Sequence, residues 1–144
     1  MEKRISQLAY ETFEHGADIG IRGFGSTLEE AFVNAAKAMF SLIIVNFHDL
    51  KPIKSINIQC EAIDYESLLV AFLNELLAQT DINQLMFCEF QIKQNALLIK
   101  GTARGEPFNP SRHEPGVEVK GATFTMAKVE QKNNMWIAQC VVDV

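Results

Sequence analysis

Apolar positions recur every three or four residues in two stretches of the chain. In the first, Leu28, Ala31, Phe32, Ala35, Met39 and Leu42 share one helical face. The stretch opens on Thr27-Leu-Glu-Glu30, a capping-box pattern, so a helix is predicted over about 27–43. The second opens at Asp64, a favourable N-cap, with Glu66 in the first turn where the helix dipole favours an anion. It stacks Tyr65, Leu68, Leu69, Phe72, Leu73, Leu76 and Leu77 on one side and should end near Gln79.

Elsewhere the pattern shortens to alternation or to β-branched runs, which predict strands over Ser55–Cys60, Leu85–Ile92, Ala96–Ala103, Val117–Glu130 and Met135–Val142. Gln94-Asn95 and Lys132-Asn133-Asn134 are hairpin signals, because asparagine tolerates the left-handed backbone of tight turns. They imply antiparallel pairing of the segments they join. Arg104–Gly116 carries Pro107, Pro110 and Pro115 and is expected to leave the sheet as one long loop. Helices early and hairpins late predict an α+β fold, a single compact domain over residues 1–144 with two main helices packed on mostly antiparallel β-sheet.

Composition narrows the function. A 144-residue chain can bury an ordinary core without disulfides or structural metal. Thirteen Lys and Arg against eighteen Asp and Glu give a net charge of −5, which withholds the basic field behind most nonspecific nucleic-acid affinity. Tight direct RNA or DNA binding is therefore not expected. No apolar run approaches bilayer length, and the charged start Met1-Glu-Lys-Arg4 has no apolar run behind it, so a cytoplasmic protein is expected. Cys60, Cys88 and Cys140 are too widely spaced for a zinc or redox motif and are expected to be buried thiols.

The apolar run Trp136–Val142 of the last predicted strand leads into Asp143 and then Val144 with its carboxylate, so two anions follow an apolar strand. An acidic loop, Glu14-His15-Gly16-Ala17-Asp18, precedes the strand-like Ile19–Phe24. If folding brings Asp18 beside Asp143, the result is a group of hard oxygen donors suited to a divalent cation, with waters or a phosphate completing an open shell. Taken singly, Asp18 is more often an Asx-turn residue than a ligand, and Asp143 is no more than a solvated chain end. His15 beside Glu14 is more often a hydrogen-bonded structural pair than a ligand or general base. Gly16, Gly20, Gly23 and Gly25 match no phosphate-binding pattern and are expected at turns and bulges. His113-Glu114-Pro115 and Glu118-Val119-Lys120 place charged groups at a strand start, expected as solvated edge charges or partner contacts.

His15-Gly-Ala-Asp-Ile-Gly-Ile21 resembles the His-x-Ala-Asp-[Ile/Val]-Gly-Ile stretch of the archease family. The similarity continues through Gly25–Phe32, Glu66–Leu77, Gly101–Glu106, His113–Pro115, Glu118–Lys120 and Trp136–Val144. Archeases are protein cofactors of the RtcB-type RNA ligase that joins tRNA halves. The resemblance implies that this chain promotes guanylylation and turnover of the ligase and seals no RNA itself. It also implies a divalent metal, calcium first, with magnesium or manganese as alternatives, held by Asp18, Asp143 and the main-chain carboxylate of Val144. Two departures stand out: Gly16 replaces the usual Thr, and Lys120-Gly-Ala-Thr-Phe-Thr125 stands where many members have Lys-Ala-[Ile/Val]-Thr-Tyr-His. A stand-alone metal-dependent phosphoester hydrolase and a chaperone-like interaction module are the alternative readings.

Overall fold

In the computed structural model, which describes residues 9–144, the elements are β1 (Tyr10–His15), β2 (Asp18–Gly25), α1 (Leu28–Ile43), β3 (Lys54–Glu61), α2 (Tyr65–Asn83), β4 (Leu85–Asn95), β5 (Leu98–Pro107), β6 (Gly121–Ala122), β7 (Lys128–Lys132) and β8 (Met135–Asp143). A 3-10 turn, Phe47–Asp49, lies between α1 and β3. The strands form two antiparallel sheets. One runs β1-β2-β8-β6, with β7 pairing farther along the same edge of β8, and the other runs β3-β5-β4. Both helices touch both sheets: α1 lies on β2 and β4, and α2 on β3 and β6. The α+β class with two helices on antiparallel sheet is thus observed.

The helices start as their sequences predict. Thr27 Oγ1 accepts the Glu30 N–H, but Glu30 turns back to the N–H of Ser26 and not to that of Thr27 itself. Asp64 Oδ1 accepts the Ser67 N–H at 2.7 Å. The helix α2 runs one turn past the predicted end. Its last turn, Thr80-Asp81-Ile82-Asn83, continues no apolar stripe, with Ile82 exposed, yet Gln84 adopts φ 57° and closes the helix through its N–H to the Thr80 carbonyl.

Aromatic packing joins the layers. Phe32 of α1 and Phe72 of α2 have ring centroids 6.0 Å apart, and Phe40 meets Phe87 and Phe90 of β4 at 5.9 Å each. Phe32, Phe40, Phe72 and Phe87 are fully buried, each contributing roughly 1.5–3 kcal/mol relative to exposure. On the other side, α1 presses onto β2 at Gly23, where a Cβ would stand 2.2 Å from Ala35 N and 2.3 Å from Ala31 O. Glycine there permits backbone contact between helix and sheet.

Four expectations are corrected. Glu14 and His15 belong to β1, so the acidic loop shrinks to the two-residue turn Gly16-Ala17, whose positive φ at Gly16 (62°) is the type II′ pattern. Val117–Glu130 is not one strand: β6 spans two residues, and Thr123–Ala127 leaves the ladder before β7 begins. The long loop begins after Pro107 and not at Arg104. Gly105 stays in the ladder opposite Phe87, where the lack of a Cβ permits a close approach to Met86 O that a side chain would meet at 1.9 Å, and Pro107 occupies the last position, opposite Leu85. The first hairpin turns at Ala96-Leu97, just past Gln94-Asn95, with Ala96 at φ 54°. The Asn133-Asn134 turn is where the sequence places it, both residues at positive φ (54° and 63°), as a type I′ turn requires.

Candidate functional site

Four strand ends meet at one corner. In the first sheet Ile19 pairs with Val142, which sets Asp18 and Asp143 side by side one residue farther along. Strand alternation puts both on the same face, the one turned away from α1. The N–H of Val144 donates to Asp18 Oδ1 at 3.2 Å, tying the end of the sequence to the start of β2 across 126 residues. On the far side of β8, Gly121 opposes Asp143, and the Lys120 N–H donates to the Asp143 carbonyl at 2.8 Å. The register also opposes His15 to Asp18. His15, Asp18, Asp143 and Gly121 thus form one row across four strands.

Hard oxygens of this kind fit a divalent cation. Asp18 is half-buried with one oxygen engaged by a main-chain N–H, and Asp143 is exposed. Among the described residues no three His, Cys, Asp or Glu side chains converge as a metal-binding group. A cation here would rest on two aspartate side chains, the carboxylate of Val144 and outer waters, an open shell of the kind magnesium and calcium accept.

The neighbouring rows on this face are built around an aromatic ring. Phe13 lies over Gly20, where a Cβ would stand 2.1 Å from the ring, and the Arg22 guanidinium sits 4.6 Å from the ring centroid. Arg22 also binds Glu11 and donates through Nε to Gln139 Oε1 at 2.7 Å. The buried Gln139 donates in turn to the Met126 carbonyl at 2.9 Å. The polar chain Glu11–Arg22–Gln139 therefore ends on the loop between β6 and β7.

The structure overturns the solvated-edge reading of His113. It is 2% exposed and packs on Glu106, itself 3% exposed. The Asn109 N–H donates to His113 Nδ1 at 2.9 Å, so Nε2 carries the hydrogen given to Glu106 Oε2 at 3.2 Å. Arg112 binds the other carboxylate oxygen, and the Lys51 N–H donates to Oε2 at 2.7 Å. Burial alone would raise the Glu106 carboxyl. The bonds from Arg112, Lys51 and His113 outweigh it and hold the group at about 2. This cluster fastens the loop to the sheet. The charge pattern of 113–120 could not reveal it, because the partner, Glu106, lies inside a strand.

Cys140 is buried, as expected, whereas Cys60 and Cys88 are only half-buried. Burial pushes Cys140 up to about 12 despite a hydrogen bond from the Thr123 backbone, and Cys60 and Cys88 to about 11 with help from nearby carboxylates. All three thiols stay protonated at neutral pH, which removes them as nucleophiles.

Two helices held between antiparallel sheets, with carboxylates gathered where a central strand ends, define a small α+β protein whose distinctive surface is an acidic strand-end corner. Residues 10–144 match the model of the archease protein family (MTH1598/TM1083). The archease of Pyrococcus furiosus is 44% identical over 140 residues, covering 94% of this chain and 98% of that protein; the Thermococcus kodakarensis archease is 40% identical with the same coverage. The solution structure of Methanobacterium thermoautotrophicum protein 1598 superimposes with a TM-score of 0.79 at 30% identity, covering 94% of this chain and 99% of that one. An archease structure from Thermotoga maritima, at 20% identity and a TM-score of 0.63, shares the fold. The chain belongs to the archease family.

Proposed function

We propose that the protein is a non-enzymatic activator of an RtcB-type RNA ligase. It docks its acidic corner near the nucleotide site of the ligase and promotes guanylylation and multiple turnover in tRNA splicing or RNA repair. A divalent cation, calcium first, is held by Asp18, Asp143 and the Val144 carboxylate, and the protein acts in the cytoplasm. Among the described residues no helix is long and apolar enough to cross a membrane.

The observation that carries this reading is the bond from the Val144 N–H to Asp18 Oδ1, with the register that seats Asp143 alongside. It seats the Asp18 and Asp143 carboxylates side by side, and among the described residues no lysine or arginine side chain enters the hydrogen bonds of that corner. When bound, a divalent ion neutralises such a corner and offers open positions to phosphate oxygens. The chain's own part is to orient: Asp18 is fixed by a main-chain donor, Asp143 by the ladder on both sides of β8. The Gly16 departure falls on the type II′ turn position, where glycine suits the backbone and leaves the Asp18 register intact.

The test is ligase guanylylation by GTP under multiple turnover, with and without the protein and with Asp18→Ala and Asp143→Ala. Stimulation by the wild type and its loss in both variants support the reading. Equal stimulation by both variants removes the corner from the mechanism, and no stimulation by the wild type removes the ligase. A hydrolase reading draws on His15 opposite Asp18; phosphodiester cleavage by the protein alone, lost on chelation, would favour it.

A further inference from the structure

A groove runs along the C-terminal end of α2. Two hollows, of about 340 and 250 Å³, share Thr80 and Asp81 of α2 and Met86 of β4, so they form one continuous groove. Pro107 at the end of β5 and Phe108 after it wall the smaller hollow. The larger runs past Ile43 and Leu77 to Glu118, Val119 and Lys120. The Lys120 N–H donates to the Asp143 carbonyl, so this end of the groove lies beside the acidic corner. Together the two hollows have the size of a small-molecule site.

Thr80, shared by both hollows, is 8% exposed, and its Oγ1 is buried without a hydrogen-bond partner. Among the described residues it is the one buried side-chain nitrogen or oxygen in that position. A helical threonine ordinarily satisfies its hydroxyl locally, on the carbonyl three or four residues back. Here neither Leu77 nor Leu76 is used. A buried polar group left unpaired costs free energy and calls for a reason, and a molecule bound in the groove supplies the missing partner.

We infer that the groove binds a purine nucleotide, guanine before adenine, with the base in the smaller hollow and the ribose and phosphate in the larger. Phe108, Met86 and Pro107 give the smaller hollow apolar walls against which a flat base stacks. Beside them stand the Thr80 hydroxyl, which donates, and the Asp81 carboxylate, which only accepts. The Watson–Crick edge of guanine sets the acceptor O6 next to two N–H donors, which pairs with a hydroxyl next to a two-oxygen acceptor. Adenine offers one N–H group and then the acceptor N1, which a carboxylate leaves unpaired. In the larger hollow Glu118 accepts from ribose hydroxyls, as acidic residues do at other nucleotide sites, and Lys120 is the cation that meets the phosphate. This site stands apart from the ligase reading, and either fails without the other.

The experiment titrates GMP into the isotope-labelled full-length protein and follows amide shifts, with AMP and ribose 5-phosphate as comparisons. A chelator is present throughout, so that metal at the acidic corner plays no part. GMP is expected to move the resonances of Thr80, Asp81, Met86 and Val119, and to bind roughly tenfold more tightly than AMP. Thr80→Val keeps the shape and removes the hydroxyl. It is expected to weaken GMP binding roughly fivefold to tenfold while Tm holds or rises, because no bond within the fold is lost. Absence of shifts in the groove overturns the inference, as does AMP binding as tightly as GMP. The same shifts from ribose 5-phosphate mean that no base is read, with the same result. A Thr80→Val protein that binds GMP like the wild type, or that melts several degrees lower, shows that the hydroxyl serves the fold and also overturns it.

Discussion

Oε2 of Glu106 and Nε2 of His113 lie 3.2 Å apart inside the protein, and through them a loop whose own backbone pairing is limited to its end, at the Ile44–Pro115 bridge, is fastened to the end of β5. The same carboxylate takes the Lys51 N–H and the Arg112 guanidinium, so one side chain joins the approach to β3, the end of β5 and the loop leading to β6. Glu106→Ala leaves a buried imidazole N–H and a main-chain N–H without acceptors. The expected loss is about 3 kcal/mol, since each unsatisfied buried donor costs about 1–3 kcal/mol. Urea unfolding checks it, and faster amide exchange over 108–116 locates the effect; a loss below about 1 kcal/mol would show that the loop is held by other contacts.

Acid should loosen the same junction. Glu106 is held at about 2, below its ordinary value of 4.5, so its contribution is present in full above about 4.5 and fades as pH falls toward about 2. Wild-type stability is expected to drop more steeply over that window than that of Glu106→Gln, which has no carboxylate to protonate. Parallel pH profiles for the two proteins would refute the linkage.

The sequence discloses both helices because their caps and periodicity agree, and most strands because alternation survives on two-faced sheets. It misplaces what depends on distant partners. The β-branched and aromatic run Thr123-Phe124-Thr125 reads as strand, yet its hydrogen bonds go to Val141 in a pattern that throws the loop outward. His113 reads as an edge charge because nothing nearby in sequence announces Glu106 as its partner. The row at the corner is legible only in part: the acidic residues are visible at both ends of the chain, but their adjacency comes from the pairing of β2 with β8, which periodicity does not supply.

Glycine substitutions should divide by what surrounds them. Gly23→Ala drives a Cβ into α1 backbone at 2.2–2.3 Å, where no side chain can yield. It is expected to cost about 3 kcal/mol or more. Gly16→Ala meets open space and pays only for φ 62°, about 1 kcal/mol. Urea midpoints give the ranking, and equal effects at the two sites would contradict close packing of α1 on β2.

Thiol chemistry offers a check on burial. With Cys140 near 12 and Cys60 and Cys88 near 11, the native thiolate fraction at pH 7.5 is very small. Labelling by a disulfide reagent is expected to be slow for all three and slowest for Cys140, becoming rapid for all on unfolding. Fast native labelling at Cys140 would mean that β8 opens locally.

The acidic corner makes the last prediction. A ligand that binds only the native state raises stability by RT ln(1 + [L]/Kd), about 2.7 kcal/mol at a hundredfold excess over Kd. Calcium or magnesium is therefore expected to raise the Tm of the wild type, and chelation to reverse it. Asp18→Asn keeps an oxygen to accept the Val144 N–H, so the strand pairing should survive, while one anionic donor is removed from the corner. Without metal the variant should unfold at the wild-type temperature or slightly above, because neighbouring carboxylates repel one another. With metal it should gain little or nothing. A metal-induced shift of equal size in both proteins would place the cation elsewhere, and a variant much less stable than the wild type without metal would make Asp18 a residue of the fold and not of the site.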